Sequence, residues 1–304
     1  MIHVNGFIHQ QAMRILENNR YSLVLAVFFA LLPYTTWLSL SIIALVTLRK
    51  GWREGALLLM PVMTAYFARS LASAPTIVAI VNTLLTYLPC YLVTCVLGRT
   101  ASWRSVAAFF CILIACCVIL LQALMPELIP AQFQYVSSAI REMHPDAFAR
   151  FMDDTSGISQ QVLANYLFGL QLVGLVFAAT LPLALARAVQ SQLYYPGGFK
   201  QEMHGLRSNK AGLLMLVVVF IAVSQNKVIA MNMLPLFVFY FLLAGLSLSA
   251  HALGKKKIRG TPLLLVTPIL FVPFIMIPVY VILGSLDSLF NLRLYLPTNA
   301  GKTT

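Results

Sequence analysis

The chain has 304 residues, 60% of them hydrophobic and only 10% charged, with a net charge of +12 and a mean hydropathy of +0.85. A soluble domain carries about 25% charged residues and sets its apolar positions in short periodic groups, so the long apolar runs exclude that class. The basic residues sit in turns between runs, which is the positive-inside pattern of a membrane chain and not a nucleic-acid surface.

The expected fold class is all-α: a polytopic transmembrane helical bundle of about 8–9 spans, with a short kinked opening hairpin and one long amphipathic outer loop. Residues 1–20 read as a cytoplasmic amino-terminal helix running into the first span, without the cleavage signature of a removable leader. Residues 21–48 would run about 42 Å as one straight helix, against a hydrocarbon core of about 30 Å. Pro33 removes an amide and clashes with the preceding turn, so the spacing predicts two short segments reversing at Pro33-Tyr34-Thr35. The amino terminus and the basic turn RKGWREG then share one side. Ser22, Ala26 and Ala30 recur every four residues and form a small-residue stripe for internal packing or a partner.

Residues 21–125 form a first membrane bundle, 126–161 an extracytoplasmic amphipathic loop, 162–285 a second bundle and 286–304 a polar carboxyl-terminal tail. Trp52 and Trp103 flank basic turns, where an indole suits the headgroup level. Within the loop, Ile129, Phe133, Val136, Ile140 and Met143 make one apolar stripe. That helix either lies flat in the interface or roofs a cavity, and its amphipathicity does not separate the two. Later, Pro262, Pro268, Pro273 and Pro278 crowd the last apolar run, 261–284, and predict a bent or partly unwound helix. Nine segments with the amino terminus inside place fifteen Lys and Arg against three acids in the cytoplasm. The outer side then holds six of each, Arg293 and Asp287 among them.

Chemistry-bearing patterns are sparse. The five cysteines lie inside apolar runs, and the five histidines are scattered without ligand spacing. No nucleophile elbow, phosphate loop or pair of carboxylates deep in the spans occurs, so no catalytic residue, metal or cofactor is expected, and no enzyme. What remains is a set of uncharged polar or aromatic candidates for solute binding: Trp37, Asn82, Gln171 and Asn232. Converging on a cavity, they would hold a small neutral or aromatic solute; otherwise each amide bonds a neighbouring helix.

Three motifs carry a family resemblance. The opening hairpin ends in Arg49-Lys50-Gly51 followed by Glu54-Gly55. The turn Pro196-Gly197-Gly198-Phe199 leads to Glu202, His204, Leu206 and Arg207. Near the end stand Gly284, Asp287, Phe290 and Arg293. Together they resemble the DUF2232 (YybS-like) group of predicted bacterial membrane proteins. That group is similar in helix arrangement to the S components of energy-coupling-factor vitamin transporters. There, small residues spaced like Ala26 and Ala30 face a coupling subunit. On their own physics, Gly197 and Gly198 serve a tight reversal, while Lys200, Arg207 and Lys210 face lipid headgroups. Asp287 and Arg293, six apart, fall about 120° apart on a helix and are poorly placed for a direct pair.

The resulting expectation is a bacterial inner-membrane protein with S-component-like architecture that binds or moves a small solute. The alternative is a non-catalytic cell-envelope scaffold acting through helix contacts. Expected partners are the lipid bilayer, a membrane protein or second copy of the chain, and a small-molecule solute, with no nucleic acid.

Overall fold

The computed structural model describes residues 2–255 and 261–295, and all regular structure among them is helical. Most of the basic turn GKKKIRG and the tail beyond Tyr295 lie outside the described residues. The chain divides into two compact units: Met1–Phe110 with Gly174–Met203, and Cys111–Val173 with His204–Thr304.

Unit 1 opens with α1 (Ile2–Glu17), α2 (Asn19–Leu31), α3 (Thr36–Lys50), α4 (Trp52–Leu71) and α5 (Thr76–Thr100). The expected continuity of α1 into the first span is corrected at Asn18. Its side chain accepts from the Arg20 and Tyr21 amides and starts α2 afresh. At the other end of α2 the chain breaks beside Pro33, with Tyr34 at φ 64°. Arg69 caps the stranded carbonyls of Ala30 and Leu32 at 3.1 and 2.8 Å. At the far end Asn19 meets both Lys50 and Glu54. The opening run is therefore an antiparallel hairpin whose legs, 13 and 15 residues long, measure about 20 and 22 Å.

Helix α3 is the centre of unit 1. Every residue from Ser39 to Thr47 is buried, as expected of a helix apolar all round. Close approach of α4 depends on Gly55, where an added Cβ would lie 2.0 Å from Thr47 Oγ1.

The remaining helices are α6 (Trp103–Leu124), α7 (Leu128–Met143), α8 (Pro145–Asp154), α9 (Gln160–Tyr194), α10 (Gly198–His204), α11 (Lys210–Ser224), α12 (Val228–Lys255), α13 (Thr261–Phe271), α14 (Pro273–Phe290) and α15 (Leu292–Tyr295). In unit 2 the tightest packing joins α12 to α14. A Cβ at Gly245 would sit 1.9 Å from the Tyr280 carbonyl, and one at Gly284 would sit 2.3 Å from that of Phe241. The proline-rich run breaks at Val272, and the Tyr280 hydroxyl donates to the Leu265 carbonyl at 3.1 Å, folding α14 back toward α13.

Among the described residues five helices are long and apolar enough to cross a membrane: Thr76–Thr100, Trp103–Leu124, Gln160–Tyr194, Val228–Leu253 and Pro273–Phe290. This is the composition of a membrane-embedded chain. The polar tail expected from residue 286 begins later, because α14 continues to Phe290 and buries Asp287 completely. A carboxylate thus lies inside a helix long enough to span, where the sequence reading placed a polar tail.

Candidate functional site

In unit 1 the small stripe Ser22, Ala26, Ala30 is 2%, 0% and 0% exposed. It is covered by the chain itself and presents no free face to a partner. Trp37 is 45% exposed. Asn82 is also exposed, its amide 3.5 Å from the Tyr66 hydroxyl. Neither reaches a partly open cavity of unit 1, about 190 Å³ in volume, which α1, α2, α3 and the later part of α9 line. Its wall is apolar except for Gln11 and Ser41, and Ala12 and Ala186 keep it open by their size. The Ser41 hydroxyl donates to the Trp37 carbonyl at 2.7 Å and Gln11 accepts from Tyr21 at 2.7 Å.

A polar cluster closes the basic end of the same unit. Gly197 adopts φ 89°, and the Phe199 amide then donates to Ser191 Oγ at 2.9 Å, which fixes the start of α10. From α10, Glu202 accepts from Arg187 Nε at 3.1 Å on both oxygens and from Trp103 Nε1 at 3.0 Å. Burial pushes the Glu202 carboxyl up. The Arg187 and Trp103 hydrogen bonds and the Arg187 charge outweigh it and hold the carboxyl below its ordinary 4.5. Trp103, expected at the headgroup level, gives its indole N–H to this cluster.

In unit 2, Gln171 accepts from Gln132 at 2.9 Å, and Asn232 donates to Asn165 at 3.0 Å. Asn232 is fully buried, and its Oδ1 has no hydrogen-bond partner. Each amide is answered by a second amide from another helix, so Gln171 and Asn232 do not meet.

The densest polar site in unit 2 gathers Arg207, Asp287 and Arg293. Arg293 Nε donates to Asp287 Oδ2 at 2.9 Å, and its terminal nitrogens reach the carbonyls of His204 and Leu206 and the Ser247 hydroxyl. This corrects the expectation from helical spacing. The helix stops at Asn291, whose left-handed φ of 49° turns Arg293 back onto Asp287. Arg207 is likewise not aimed at lipid headgroups; it donates to the carbonyls of Asp287 and Ser288 at 2.9 and 3.3 Å. Asp287 is 0% exposed, and its Oδ1 is unpartnered. Of the motif residues, Arg207, Gly284, Asp287 and Arg293 thus fall at one end of unit 2. Charge counting set Arg293 outside and residues 204–207 inside, and their direct bonds contradict that split.

Among the described residues no group of three or more His, Cys, Asp or Glu is placed to hold a metal ion. No family model, curated protein or solved structure matches this chain.

Residue-by-residue reading missed the cavity wall. Ala12, Ser41 and Ala186 are small residues among bulky ones, and nothing in their local spacing marks a space between distant helices.

Proposed function

We propose that this chain is a multi-pass protein of a bacterial inner membrane that binds a small apolar solute in the unit 1 cavity and serves transport without catalysis. The cavity carries the reading. An apolar cavity of about 150 Å³ lined by Leu, Ile and Phe holds benzene. At about 190 Å³ the unit 1 cavity has room for one ring or a short branched chain. Gln11 and Ser41 are the polar side chains that would orient it. Gln171 and Asn232 bond separate amides, Gln132 and Asn165, and share no site, which moves the reading away from a polar solute held between them.

The arrangement of the eight segments before residue 261, with the amino terminus in the cytoplasm, belongs to the same proposal. Support comes from Asn19 meeting Lys50 and Glu54, which sets α2's start beside the basic turn. Kinship with the DUF2232 group and an S-component-like arrangement remain part of the proposal, resting on the motifs alone. The buried stripe offers no support for a coupling subunit at Ala26 and Ala30.

A cell-envelope scaffold is the second reading, favoured by the exposure of Ile140 and Met143 on the α7 stripe. A thermal-shift panel of small aromatic and branched aliphatic compounds on purified protein separates the two. The solute reading expects saturable stabilisation by at least one compound, lost when Ala186→Leu or Ala12→Leu fills the space. Silence across the panel, or a shift that survives both fillings, overturns it. A partner or second copy held through the α7 stripe would then favour the scaffold.

A further inference from the structure

The last apolar run has the length of one membrane crossing, yet two sets of contacts show it doubling back. Tyr280 Oη bonds the Leu265 carbonyl, although 15 residues of straight helix would separate the two by about 22 Å. Beyond α14, Arg293 donates to the carbonyls of His204 and Leu206, and Arg207 donates back to those of Asp287 and Ser288. The end of α14 is thereby fastened to the α10–α11 linker. If α11, α12 and the last run each crossed fully, Arg293 would lie about 30 Å from that linker, on the other side.

We propose that α13 and α14 form a re-entrant hairpin that enters and leaves the bilayer on the side of the α10–α11 linker, its tip at residues 270–275 seated among lipid acyl chains. Every side chain of the tip is apolar, with Phe271 80% and Phe274 92% exposed. Helix α13 has 11 residues, about 16 Å, or roughly half the hydrocarbon thickness. The backbone suits that depth. The Val272 amide donates to Pro268, its carbonyl accepts from Ile275 and Met276, and Pro273 has no N–H to satisfy. Just before α13 the sequence sets Lys255, Lys256, Lys257 and Arg259, the charge that anionic headgroups attract where a chain enters the cytoplasmic leaflet. The greater length of α14 is its buried end, where Gly284, Asp287 and Ser288 pack within unit 2.

Single-cysteine reporters test this in full-length protein that keeps the buried Cys90 and replaces the other four cysteines. Asn209→Cys, with Lys210→Cys as a second linker site, and Tyr295→Cys are probed with an impermeant thiol reagent in spheroplasts and in inside-out vesicles. Leu270→Cys and Phe274→Cys are probed in the same way and with a permeant maleimide. The linker and Tyr295 sites are expected to label at one and the same face. Both tip sites, un-ionised among acyl chains, resist the impermeant reagent from either face and react with the maleimide only after detergent opens the bilayer. Labelling of the Tyr295 site at the face opposite the linker, or at neither face, overturns the hairpin. So does labelling of both tip sites from either aqueous face.

Discussion

Units 1 and 2 are built from similarly apolar helices but differ in how several of their polar side chains are satisfied. In unit 1 the hydroxyls of Ser41, Thr47, Thr83 and Thr94 donate to the carbonyl four residues earlier on their own helix. In unit 2 the amides and charges reach across, as in Asn165–Asn232, Gln132–Gln171 and the Arg207–Asp287–Arg293 cluster. Polar groups satisfied by their own helix leave the space between helices to shape alone, and a cavity survives there. Groups satisfied across helices draw them shut.

The sharpest way to break this contrast is Asp287→Ala. It strips the carboxylate from two arginines in a buried site, a change that costs about 3–5 kcal/mol. Thermal melts and yield in detergent should fall steeply, whereas a melt matching the parent would show that the cluster does not hold unit 2 together. Gly245→Ala comes next, since its Cβ would strike the Tyr280 carbonyl at 1.9 Å. Overpacking of this kind costs about 1–3 kcal/mol. Gly174→Ala, where nothing lies within 4 Å, is the control and should melt as the parent does. Equal melts for the two substitutions would remove the close α12–α14 approach from the account.

The smallest expected effect is a pH dependence in unit 1. The Glu202 carboxyl sits below its ordinary 4.5 when folded, so the unfolded chain binds the extra proton first. The contribution is fully present above about pH 4.5 and fades as pH falls through the lowered folded value. Melting temperature followed downward from pH 7 should drop more for the parent than for Glu202→Gln. Parallel curves would mean that Arg187 and Trp103 contribute no such stability.

Local rules made the boundaries of many helices legible in the sequence. Pro33 announced the opening reversal, and the prolines of the last run announced its break, because each acts on the backbone within one turn. The polar sites were not legible in that way. Asn165 and Asn232 are 67 residues apart, and their pairing depends on how α9 and α12 meet. Helical spacing argued against Asp287–Arg293 because it assumed a continuing helix, and the left-handed Asn291 ended it. The cavity is harder still to foresee, since its wall is ordinary apolar sequence and its existence lies in what four helices fail to fill.

On the proposed function, the space in unit 1 takes a ligand. Equilibrium dialysis of the most stabilising compound against the parent and against Ala186→Leu tests it most directly. One saturable site per chain in the parent, absent from the filled variant, is the predicted result. Equal binding to both proteins would contradict it.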